Sequence, residues 1–136
     1  MVGGHLATIT SQAENEFIYK LICNNKEFWF IASNNYGYGP WVGGYKKEGS
    51  TDLKKGWEWV VGEEFKYSSW APGVPDNYGG SEDRICFCRP NMWDKPLWND
   101  VGKKVFLPGF IIEFDDRAMT PPTRAEVCGA NCKFSH

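Results

Sequence analysis

Six side chains define the chemistry open to this sequence. Asp76, Asn77, Glu82 and Asp83 gather at and just beyond the end of residues 71–81, a stretch of eleven rich in Gly, Pro, Asn and Tyr. Asn99 and Asp100 form a second cluster further along. Hard oxygen donors of this kind suit Ca²⁺, which takes about six to eight oxygens at roughly 2.3–2.6 Å. A loop that long without regular structure is a candidate functional loop. Pro75 within it is the residue type that admits a cis bond, which would aim the neighbouring carbonyls. The competing reading is a set of solvated surface charges.

Other chemistries have less support. Glu82 and Asp83 are adjacent in sequence, which does not establish the carboxylate separation of a glycosidase. His5 and His136 are the only histidines, and neither stands in a Ser or Cys context that suggests a nucleophilic triad. No enzymatic activity is expected. The five cysteines are Cys23, Cys86, Cys88, Cys128 and Cys132, an odd number that leaves at least one thiol unpaired within the chain. Cys86 and Cys88 would share one face of a strand. Cys128 and Cys132 are close enough in sequence to pair. A zinc site from these four needs a first pair separated by one residue, shorter than the usual ligand spacing. Thiols with at most one tail disulfide are the simpler expectation.

The positioning elements must come from a modest chain. Its 136 residues suit one domain. With 42% hydrophobic and 24% charged residues, it is not compositionally disordered. The net charge of -2 lacks the basic excess of a phosphate-driven nucleic-acid binder. No apolar run approaches the ~18 residues of a membrane span. The first residues have neither a basic start nor an apolar stretch, so no signal peptide is expected within the chain. Aromatics at 16%, with fifteen glycines and eight prolines, predict a loop-rich fold pinned by large rings.

The clearest helix begins at Ser11, where Ser11-Gln12-Ala13-Glu14 forms a capping box. Phe17, Ile18, Leu21 and Ile22 then give an apolar stripe at helical spacing. Residues 28–32 read as a buried strand, 34–40 as a turn and 41–45 as a short strand. Trp57, Trp59 and Val61 alternate as in a strand with one buried face. Residues 85–88 and 110–114 read as strands, and residues from 117 on as a tail or linker.

Several motifs follow one another in order. They are Gly3-Gly4-His5-Leu6-Ala7-Thr8-Ile9, Ser11-Gln12-Ala13-Glu14-Asn15, Trp41-Val42-Gly43 and Trp57-Glu58-Trp59. Trp70-Ala71-Pro72-Gly73-Val74-Pro75-Asp76-Asn77, Glu82-Asp83, Trp98-Asn99-Asp100 and Ile112-Glu113-Phe114 complete the series. Over residues 3 to about 115 the chain resembles the C-type lectin-like domain, most of all the microbial and invertebrate forms that lack the usual disulfides. The resemblance implies an α+β fold with small twisted antiparallel sheets, at least one helix and a long loop region. It implies a domain over residues 1–116, with the family's N-terminal strand and helix missing or divergent, and a tail or linker over 117–136. In sugar-binding members a calcium ion in the loop ligates two sugar hydroxyls directly. Carried over, the metal ligands are Asp76, Glu82, Asn99 and Asp100, with the Asp100 carbonyl as a further candidate. The same four and Tyr78, whose ring would stack on the sugar, are the sugar-binding residues. Asp76 after Pro75 points to galactose-type sugars.

The departures are specific. Val74 stands where the family has Glu or Gln and offers no side-chain oxygen, so calcium binding is expected to be weak. Lys54 and Asn77 stand at positions of an auxiliary calcium site and argue against it. Arg84, Lys103 and Ile112 replace disulfide cysteines, so the core is expected to rest on Trp41, Trp57, Trp59, Trp70 and Trp98. His5 is expected to be structural. The expected function is a non-enzymatic carbohydrate-binding module whose partner is a glycan or glycoprotein. The alternative is a structural or protein-interaction domain that has lost calcium and sugar. An extracellular or cell-surface location follows from the family alone.

Overall fold

The computed structural model describes residues 3–114 and the strand Arg124–Gly129. Helix α1 (Gln12–Ile22) starts where its capping residues put it. The Ser11 hydroxyl accepts from the Glu14 N–H at 3.2 Å, and the Glu14 carboxylate accepts from the Thr10 N–H at 3.1 Å. N–H groups that the helix cannot bond internally are thereby satisfied. The buried stripe is Asn15, Ile18, Tyr19 and Ile22, rotated from the expected one, and Phe17 is 53% exposed. Asn15 sets that rotation. Its amide is bonded inside the core, so its face must point inward.

The remaining strands are β1 (Gly4–Leu6), β2 (Phe30–Ile31), β3 (Gly37–Lys46), β4 (Trp57–Trp59), β5 (Glu82–Arg89), β6 (Leu97–Gly102), β7 (Gly109–Phe114) and β8 (Arg124–Gly129). They join in the order β1-β7-β3-β5-β6, with β2 and β4 on β3 and β8 on β7. Every ladder is antiparallel except a parallel contact between Trp41 and Phe110. The fold is α+β as expected, but its strands form one mixed sheet rather than several small antiparallel ones.

Four local readings are corrected. Residues 28–32 are not a buried strand: Lys26–Phe28 is a 3₁₀ turn, and the exposed Phe30–Ile31 pairs with Tyr38 and Gly37. Strand β3 therefore begins inside the expected turn. Gly39 permits this, because a Cβ there would lie 2.8–3.1 Å from three ring atoms of Trp29. Strand β4 ends at Trp59, and Val60 and Val61 are exposed in a turn closed by the Gly62 N–H on the Trp59 carbonyl. Finally, the segment read as a tail contributes β8, paired with β7 from Gly109 opposite Gly129 to Phe114 opposite Arg124. Cys132 lies outside the described residues.

The core is aromatic. Trp59 and Trp98 meet edge to face at 5.8 Å, and Phe65, Tyr67 and Trp70 surround Trp98 at 5.8–6.3 Å. Trp57, Trp59 and Trp98 are buried as expected, with Trp41 and Trp70 packed against the core at partial exposure. Cys86 and Cys88 are free, buried thiols on β5. Burial pushes both up in pKa, Cys88 to about 12, which keeps them protonated and poor metal ligands. Among the described residues no helix is long and apolar enough to cross a membrane.

Candidate calcium and sugar site

Strands β5 and β6 carry the site. Ile85 lies opposite Asp100, Cys86 opposite Asn99 and Phe87 opposite Trp98. Trp98 is fixed on several sides. Its indole N–H donates to Asn15 Oδ1 at 2.9 Å. Its backbone N–H donates to the Ser69 carbonyl at 2.8 Å, and its carbonyl accepts from the Ala71 N–H at 2.9 Å. The long loop is thus hung on the strand that bears Asn99 and Asp100.

The loop then closes over Asp100, which is fully buried. Asp100 Oδ2 accepts from the Asn77 N–H at 2.7 Å and from the Asp76 N–H at 3.1 Å. Glu82 Oε1 accepts from the Tyr78 N–H at 2.7 Å, and Asn77 Oδ1 accepts from the Glu82 N–H at 2.9 Å. Asn77 adopts the left-handed conformation (φ 49°), which its side chain tolerates better than most. That conformation helps turn successive N–H groups toward the carboxylates. The Val74–Pro75 bond is cis, the form Pro75 was expected to admit.

Oxygens of Asp76, Glu82 and Asp100 lie within 4.8 Å of one another. Burial and crowding show in the acidity of Glu82 and Asp100. Burial, and then the Asp100 charge, pushes the Glu82 pKa up to about 7. Burial also raises Asp100, although the Asn77 and Asp76 N–H groups oppose the rise. Asn99 is buried, and its amide Nδ2 donates to the Asp100 carbonyl at 2.7 Å. Among the described residues no hydrogen bond occupies its Oδ1. Tyr78 sits on the loop crest with 82% of its surface exposed. The donor set is all hard oxygen and carries excess negative charge, so it fits a divalent cation such as Ca²⁺. Val74 adds nothing to it.

No family model matches the chain. It is 34% identical over 101 residues to a Pleurodeles waltl protein named "Lectin", covering 72% of this chain and 48% of that protein. It is 30% identical over 104 residues to the galactose-specific lectin nattectin of Thalassophryne nattereri, covering 76% and 55% respectively. The solved C-type lectin CEL-I from Cucumaria echinata aligns with a TM-score of 0.53 and 25% identity, covering 74% of this chain and 61% of that one. The chain belongs to the C-type lectin-like domain family. It spans about half the length of the curated relatives it matches.

Within this C-type lectin-like domain, the sequence-expected residues Asp76, Glu82 and Asp100 converge, Tyr78 stands beside them through its N–H on Glu82, and Asn99 precedes Asp100 on β6 with its amide on the Asp100 carbonyl. Two contributors went unread. One is the run of backbone N–H groups at residues 76–78, which has no side-chain signature. The other is Asn15, which also donates to the Pro96 carbonyl at 2.8 Å and so positions the start of β6. The available signal was a polar residue at the inward phase of an amphipathic helix.

Proposed function

We propose that this domain is a non-enzymatic carbohydrate-binding module holding one calcium ion in its long loop and, through it, a galactose-type sugar. The observation that carries this reading is the convergence of Asp76, Glu82 and Asp100 beside the buried Asn99. Bound calcium supplies direct ligation of two neighbouring sugar hydroxyls. Asp76, Glu82, Asn99 and Asp100 hold the ion and accept hydrogen bonds from those hydroxyls. Tyr78 offers an exposed ring to the apolar face of the sugar. Asp76 following Pro75 favours galactose, and nattectin is described as galactose-specific. The partner is then a glycan or glycoprotein, met outside the cell or at its surface. With Val74 in place of an oxygen donor, the affinity for calcium is low.

One observation favours the second reading, a structural or protein-interaction domain. N–H groups of residues 76–78 already bond the carboxylates, so the loop closes on protein donors alone. Thermal unfolding in calcium against excess EGTA, at constant ionic strength, separates the two. Binding to the native state alone adds RT ln(1 + [Ca]/Kd), about 2.7 kcal/mol at a hundredfold excess. We expect an upward shift that disappears in Asp100→Ala. That variant also melts lower without calcium, so the calcium increment is the readout. No shift at ~10 mM calcium, which saturates even weak extracellular modules, favours the second reading.

A further inference from the structure

A cleft of about 780 Å³ lies beside the carboxylate cluster, and the proposed site leaves it unused. Tyr45 and Arg84, opposite each other on β3 and β5, line it at the sheet. Lys46 lines it from the end of β3 and Lys47 from just after it, and Lys103 and Lys104 from the turn after β6. Asn77 and Glu82 also line it, so cleft and cluster share a boundary.

Its charge runs against that of the chain. The whole protein carries -2, yet the cleft sets five cations against Glu48, Glu82 and Asp83. Two of the five are engaged. Arg84 pairs with Asp83 at 3.2 Å, and Lys46 donates to the Asp52 carbonyl while lying over the Trp57 ring. Among the described residues Lys47, Lys103 and Lys104 have no carboxylate within 4.0 Å. All three are exposed. Their backbones are fixed, by the Val105 N–H on the Gly102 carbonyl (3.1 Å) and by the Lys47 N–H on the Gly56 carbonyl (2.6 Å). An ion held at Glu82 would offset one of the three carboxylates and enlarge the positive excess.

We infer that this cleft is an anion-binding extension of the sugar site. It takes the sulfate or carboxylate group of an acidic glycan whose neighbouring residue sits at the carboxylate cluster. The inference rests on the calcium-lectin reading. Exposed charge pairs are individually weak, so three lysines together provide roughly a tenfold preference, strongly screened by salt.

The test is an NMR or calorimetric titration in ~10 mM calcium, a level set by the weakest extracellular sites. The probes are methyl galactoside, galactose 6-sulfate and a 6-sialylated galactoside, whose neighbouring ring hydroxyls stay free for the ion, against the wild type and Lys103→Gln/Lys104→Gln. An acidic sugar should bind about tenfold tighter than the neutral one at ~50 mM salt, and the advantage should fade by ~0.5 M. The double variant should lose most of that preference while keeping its neutral-sugar affinity and calcium shift. The sulfated and sialylated arms tell which anion the cleft takes. Equal binding of neutral and acidic sugars overturns the cleft and leaves the lectin reading standing. A preference untouched by the double variant also overturns it, because the anion would then sit elsewhere. Absence of binding by all three sugars, with no calcium shift, overturns both.

Discussion

At Glu82 burial and the neighbouring Asp100 charge push the same way. Its pKa is raised from the ordinary 4.5 to about 7, by burial first and by Asp100 second, with the Tyr78 N–H opposing. The folded state therefore holds this proton more tightly than the unfolded chain does. Stability from that source is fully present below the unfolded value and is lost as pH rises through the folded one. In EGTA the melting temperature should fall as pH goes from about 5 to 8, and Glu82→Gln should flatten the fall. Calcium competes with the same proton, so the calcium-induced shift should be larger at the upper end. A melting temperature that rises over this window, or a slope unchanged in the variant, would remove Glu82 as the cause.

Strand β3 shows what one missing side chain does for an element. Trp29 is buried against Gly39, with the Arg89 guanidinium 4.1 Å from the ring. A methyl group on Gly39 would meet three atoms of that rigid ring at 2.8–3.1 Å. Gly39→Ala should cost about 1–3 kcal/mol by overpacking, read in denaturant unfolding, whereas Gly3→Ala, with nothing within 4 Å, should be near neutral. The same geometry explains what the sequence concealed. Gly37-Tyr38-Gly39-Pro40 has the composition of a turn, and only pairing with β2 and β5 makes it a strand. Strand β8 was hidden for a similar reason, because an edge strand is defined by its partner, here β7. Helix α1 was legible, since a capping box and a 3.6-residue period are local signals. Its inward face was not, because Asn15 earns its buried place through bonds to residues far along the chain. At the site, the oxygen-bearing side chains were legible by type, and the N–H groups that fold the loop onto them were not.

For the molecule as a whole, Trp98 joins the helix, the aromatic core, the long loop and the site. Its indole serves the fold through Asn15 and the surrounding rings. Its backbone serves the loop through Ser69 and Ala71. These roles are separable, because Phe at this position keeps the backbone bonds and a ring but loses the indole N–H. Trp98→Phe strands Asn15 Oδ1 without its donor, which costs about 1–3 kcal/mol, and leaves the core underfilled in addition. Against a typical domain stability of about 5–15 kcal/mol, the variant should still fold but melt clearly lower. Asp100 remains held by β5 and by the loop N–H groups, so the calcium-induced shift should persist at nearly its wild-type size. If the shift vanishes while the variant is still folded, core packing rather than the backbone latch holds the loop in place. The carboxylate cluster would then depend on the hydrophobic core, and mutations far from the loop would weaken calcium binding as much as those within it.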